Sequence, residues 1–155
     1  MAAWQLELEV LPLSAVRRVY GGTTPLVISE DDLYDHLWWE GIDIRNKLRA
    51  KLKAQLPALP QWSSKVESWG EDRGHRFEII CAKGGIEEMN IRVDVRTPDS
   101  AFVSFVGNLI REYEWGLRDP NGTFVCTKAS LLFSIHQSDA FQAFDPPAAR
   151  ADGRS

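Results

Sequence analysis

Five charged side chains stand on two adjacent runs of the sequence. Arg76 and Glu78 lie in HRFEIICA, and Arg92, Asp94 and Arg96 lie in MNIRVDVR. Each run alternates polar with apolar residues, so each charged set points to one side of its strand. Side by side, Glu78 and Asp94 would form a carboxylate pair of the kind that does acid–base work when one member keeps its proton. The same pattern describes a solvated sheet face knit by cross-strand ion pairs, and Glu7 and Glu9 would join that face if the first strand is a neighbour. No second catalytic signal accompanies the pair.

Other chemistries find less support. The metal-ligand types His36, His75, His136, Cys81 and Cys126 are scattered, with neither a CxxC nor an HExxH spacing, so no metal is expected. No G-x-S-x-G marks a nucleophile, and neither cysteine opens a helix where its thiol would become acidic. Gly21-Gly22 and Gly84-Gly85 read as turns, with no phosphate-binding glycine pattern around them. No cofactor is expected, and the chain reads as a non-enzyme.

The two remaining candidates are surfaces. Trp38-Trp39-Glu40 falls at a break between two helical segments. Consecutive helical residues point about 100° apart, so both rings are hard to bury in one core. The segment is either a packed inter-helix corner or a partner-binding surface with at least one ring at an interface, and the second is the expectation carried forward. With Asp35 and Asp43 nearby, the corner would be acidic and aromatic. Trp38, Trp39, Glu40 and Asp43 are therefore the first candidates for partner binding, with Glu78 and Asp94 behind them. The second surface is the basic helix from Arg45 to Lys53, whose five cations leave −9 for the remainder of a chain of net charge −4. The net charge argues against nucleic acid as the main partner. The helix reads as an ordinary solvent-facing one, yet it keeps phosphate, nucleic acid or an acidic partner open.

The elements that must position these groups follow from periodicity. Trp4, Leu6, Leu8 and Val10 alternate with Gln5, Glu7 and Glu9 in a strand ending at Pro12. Residues 13–28 read as a turn-rich loop hiding a short strand at Leu26 to Ile28. Ser29 with Asp32 opens a short helix, and Asp43 is expected to cap the basic one, whose Ile44, Leu48, Leu52 and Leu56 form a narrow apolar stripe. Lys65 to Trp69 is a strand feeding the hairpin. That hairpin turns at Gly84-Gly85, where glycine tolerates positive φ at both central positions. Asp99 or Ser100 then caps a helix carrying Phe102, Phe105, Val106, Leu109, Ile110 and Tyr113 on one face. Asp119-Pro120-Asn121-Gly122 is a turn, Thr123 to Cys126 a strand, and Thr127 and Ser138 open the last helices. The fold class is α+β: a mostly antiparallel sheet of four or five strands with helices mainly on one face.

With 155 residues, 44% of them hydrophobic, the chain suffices for one core, expected over residues 1–144 with a disordered tail at 145–155. No apolar run approaches the roughly eighteen residues of a membrane span. The N-terminus lacks a basic-then-apolar leader, and two buried cysteines suit a reducing cytosol, so a cytoplasmic location is expected.

The size, the acidity, the Trp38-Trp39 and Trp69 placements and the hairpin-plus-helix block from Arg76 to Tyr113 resemble the build of small bacterial immunity proteins of toxin–immunity systems. The resemblance implies a non-catalytic domain that occludes a toxin's active surface. The toxin-binding face varies among such proteins, so it assigns no residue here, and the basic helix departs from their acidic surface. Two other classes stay open. One is a dimeric secretion-chaperone-like or adaptor protein. The other is a small enzyme using the hairpin's charged face, which a deep pocket lined by Glu78, Arg92 and Asp94 would favour.

Overall fold

The computed structural model describes residues 3–98 and 100–144. The tail expected over 145–155 and the Asp99 cap lie outside them. The chain runs β1 (Gln5–Pro12), α1 (Leu13–Val19), α2 (Glu30–Asp35), α3 (Arg45–Gln55), β2 (Val66–Gly70), β3 (Arg76–Ala82), β4 (Gly85–Asp94), α4 (Ala101–Tyr113), β5 (Trp115–Arg118), β6 (Phe124–Val125), α5 (Lys128–Gln137) and α6 (Asp139–Phe144). The fold is α+β, with one antiparallel sheet in the order β2-β3-β4-β1-β5-β6. Its six strands exceed the expected four or five because Trp115–Arg118 pairs with both β1 and β6.

Alternation decides which face is dry. Leu6, Leu8 and Val10 on β1, Phe77 and Ile79 on β3, and Met89, Ile91 and Val93 on β4 are all buried. They pack into one cluster with Leu48 and Leu52 of α3, Phe102, Val106, Leu109 and Ile110 of α4, and Leu131 and Ile135 of α5. Each of these side chains contributes roughly 1.5–3 kcal/mol by leaving water. Four helix starts carry side-chain caps: Ser29 accepts the Asp32 amide, Ser100 accepts the Val103 amide, Thr127 forms a reciprocal box with Ser130, and Ser138 accepts the Phe141 amide. The basic helix differs from its expectation. Its N-cap is Ile44, without a side-chain cap, and Asp43 lies exposed one residue earlier.

The hairpin turn is displaced by one residue from the expected Gly84-Gly85. Ala82 pairs with Gly85, and the two loop residues are Lys83 and Gly84, with φ of 54° and 79°. That is the left-handed pair a primed turn requires. A bulge follows at once. Ile80 faces Glu88 and Cys81 faces Ile86, so Glu87 is the extra residue. The bulge keeps both Ile86 and Met89 inward although they are three apart.

Register also opens the sheet. β1 pairs with β4 from Gln5↔Asp94 to Glu9↔Asn90 and then stops. Beyond that point β1 continues with β5 alone, from Glu9↔Arg118 to Pro12↔Trp115. Residues 9–11 and 87–89 therefore diverge, and the α2 corner occupies the mouth of this split. At the sheet's two ends, short segments add themselves as partial strands. Residues 57–59 bond to β2 through Leu59 N–H→Ser68 O and Gly70 N–H→Pro57 O, and residues 26–28 bond beside β6 through Ile28 N–H→Gly122 O and Phe124 N–H→Leu26 O.

Candidate functional site

The tryptophans of the α2 corner are core residues. Trp38 is 6% exposed and Trp39 4%, which corrects the expectation that at least one ring lies at an interface. The chain leaves the helical conformation after Asp35, with His36 extended, so the 100° spacing of a continuous helix no longer separates the two rings. The Trp38 indole donates to Leu33 O at 2.8 Å, and Trp39 meets Trp115 edge-on at 6.0 Å. Glu40 and Asp43 are exposed. What the corner presents instead is its outer layer: Tyr34 at 74% and Leu37 at 72% exposure.

These two residues flank a groove of about 190 Å³ over the split in the sheet. Leu33, Trp38, Leu11 and Met89 line it, and Glu9, Glu87 and Glu88 stand on its strand side. The bulge matters here. Without the extra residue Glu87 and Glu88 would alternate faces; with it both are exposed. Burial pushes the Glu9 carboxyl up, Arg118 opposes that rise, and the carboxylates of Glu88 and Glu30 add to it. Arg118 itself is buried, donating to Ile28 O at 2.7 Å and to Glu9 Oε1 at 3.2 Å. It ties the 26–28 segment to the sheet. Neither Tyr34 and Leu37 nor Arg118 stood out in the sequence, because single apolar residues in and just after a short helix and one arginine at the end of a four-residue strand carry no pattern.

The charged sheet face assembles Arg76, Glu78 and Arg92 with Glu7, but as a set of internal pairs. Glu78 accepts from Arg76 at 2.9 Å and from the Ser68 hydroxyl at 3.3 Å. Arg92 lies opposite both Glu7 and Arg76, yet its guanidinium donates to the carbonyls of Gly74, Glu71 and Asp72 and so pins the β2–β3 loop. Burial and the neighbouring Arg76 hold the Arg92 pKa down. The hollow there measures about 220 Å³ and its lining does not include Asp94. Asp94 is buried at the strand end, gripped by Arg96 through Nε at 2.9 Å and a terminal nitrogen at 2.7 Å. Its pKa is lowered chiefly by that pairing. Glu78 and Asp94 therefore do not form the carboxylate pair the sequence pattern raised: Glu78 faces Asn90 across the strands, and Asp94 faces Gln5.

The basic helix is likewise drawn inward. Arg45 and Arg49 both reach Glu67, at 3.1 and 2.8 Å, and Lys51 reaches Glu112 at 2.5 Å. Among the described residues Lys47 and Lys53 are its cations outside these ion pairs, and both are exposed. A further hollow of about 580 Å³ lies between β1, the 119–123 turn and α5. Its Asp119 is spent on that turn, accepting the Asn121 and Thr123 amides and the Ser134 hydroxyl.

Among the described residues no group of three potential metal ligands converges. Cys81 and Cys126 are free thiols. They belong to opposite sides of the sheet, with β4, β1 and β5 between β3 and β6, and burial raises the Cys81 pKa. Among the described residues no helix is long and apolar enough to cross a membrane.

Comparison with protein-family models, curated proteins and solved structures gave no match.

Proposed function

We propose that the chain is a non-catalytic protein-binding domain whose docking surface is the groove at the α2 corner. The observation that carries this reading is the pairing of Tyr34 and Leu37, both exposed, over a concavity whose floor is core. Large apolar side chains that stay in water beside a preformed hollow are the raw material of an interface anchor, and aromatics are enriched there. The position is the acidic-aromatic corner expected around Glu40 and Asp43, but the side chains offered to a partner are Tyr34 and Leu37 in place of Trp38 and Trp39. The most concrete version is an immunity function, in which the corner and its carboxylates occlude the active surface of a bacterial toxin.

The test is quantitative capture from the native cell by the tagged chain, by Tyr34→Ser/Leu37→Ser and by Phe133→Ser. Phe133 is an exposed aromatic away from the groove. A stoichiometric partner retained by wild type and Phe133→Ser but lost by the double variant supports the reading. A partner retained by the double variant contradicts it.

A further inference from the structure

Resting on that reading, we infer that the segment of the partner entering the groove is cationic: a Lys or Arg side chain seated between Glu9, Glu87 and Glu88, with an apolar neighbour laid over Tyr34 and Leu37.

The charge distribution argues for this. Three carboxylates line a groove of about 190 Å³. Among the described residues the one ion pair made by any of them is Glu9 with Arg118, and that arginine is buried and does not line the groove. Glu88 accepts from the Asn90 amide at 3.2 Å, a neutral donor. Glu87 and Glu88 are adjacent in sequence, and the bulge brings both to the exposed side. Two like charges so placed repel each other, and the half-buried Glu9 also feels the Glu88 carboxylate. A cation entering the groove relieves that repulsion and gains charge-assisted hydrogen bonds. An anionic segment would meet three carboxylates, so the same residues exclude it. The exposed Tyr34 lines the same groove as the carboxylates, and the methylenes of Lys or Arg suit the apolar floor of Leu11, Leu33 and Met89.

The experiment uses the full chain, labelled with nitrogen-15. The probes are a fluorescent peptide of alternating leucine and lysine and its twin of alternating leucine and glutamine. The Trp38 indole N–H, bonded to Leu33 O in the floor, reports occupation of the groove. The expected result is that the lysine peptide shifts the Trp38 indole signal and the amides of residues 34–37 and 87–89. The glutamine twin binds about tenfold more weakly, and Glu87→Gln/Glu88→Gln lowers affinity for the lysine peptide by about the same factor, equivalent to about 1.4 kcal/mol. Equal binding of both peptides at the corner overturns the cationic inference while leaving the docking surface standing. Lysine-peptide shifts that map to another face, or the absence of any shift at the corner, overturn the inference outright, whereas failure of the docking surface itself is read from the Tyr34→Ser/Leu37→Ser capture.

Discussion

The His75 imidazole accepts the Asp94 amide at Nδ1 (3.0 Å), which leaves Nε2–H to donate to the Thr97 hydroxyl at 2.9 Å, and the ring stacks on Phe102 at 4.8 Å. That arrangement requires the neutral ring, and burial lowers its pKa below 6.5, against a smaller pull upward from Asp94 and Glu71. Below 6.5 the unfolded chain therefore binds more protons than the folded one. The contribution of His75 is complete above pH 6.5 and fades as the pH falls toward the folded value. Asp94, whose pKa is lowered from 3.8 by Arg96, adds a second loss in a separate window, below pH 3.8. Urea midpoints measured across pH should show both steps. His75→Asn, which keeps an acceptor near the Nδ1 position, should flatten the upper step alone, and a wild-type curve level between pH 5 and 7 would contradict the assignment. Trp39→Ala belongs to the same scale. The ring is 4% exposed and packs on Trp115, so its loss should cost about 3–5 kcal/mol by cavity formation. Circular dichroism would show this as lost folding, which is why Tyr34 and Leu37 are the informative positions for binding.

At the scale of elements, the turn and the bulge make the sharpest claims. Gly84 holds φ of 79°, whereas Gly85 opens β4 without a positive φ. Gly84→Ala should lower the unfolding free energy by roughly 1–2 kcal/mol, and Gly85→Ala should be close to neutral; equal effects in urea unfolding would move the turn back to Gly84-Gly85. Gly116 makes a different demand, because the Phe124 ring lies 2.0 Å from where its Cβ would stand. Gly116→Ala should cost about 1–3 kcal/mol by expelling that ring. The sequence exposed β1, β3, β4 and α4 because period two and period 3.6 persist there over enough residues to be read. It concealed β5, whose four residues Trp115-Gly116-Leu117-Arg118 are all buried and so do not alternate. It also concealed α1, seven residues starting directly at the end of β1 with no side-chain cap. The bulge at Glu87 was hidden because Ile86 and Met89 break period two by one residue, and only the pairing with β3 assigns that break.

For the whole molecule, the proposed docking groove lies where β1 and β4 part. β1 leaves β4 after Glu9↔Asn90, the α2 corner fills the opening with Trp38 and Trp39, and Tyr34, Leu37 and the Glu9–Glu87–Glu88 carboxylates remain on the outside. The sequence located this corner through its tryptophans and acids but exchanged inside for outside, because the chain's departure from helix after Asp35 is a tertiary outcome. The charged hairpin face was legible as a set of residues, but alternation alone does not say that Arg76 pairs with Glu78 and Arg96 with Asp94, each two positions away, and the pinning of the β2–β3 loop by Arg92 depends on a contact between separate segments. Tyr34 and Leu37 contact water in the isolated chain, so Tyr34→Ser/Leu37→Ser should leave the melting temperature within a few degrees of wild type, checked by calorimetry. The most direct test of the account places a photo-crosslinking amino acid at position 34 and, separately, at exposed Trp62, and irradiates the native cell. The account predicts a protein adduct at position 34 and none at position 62. Adducts at 62 with none at 34 would contradict it.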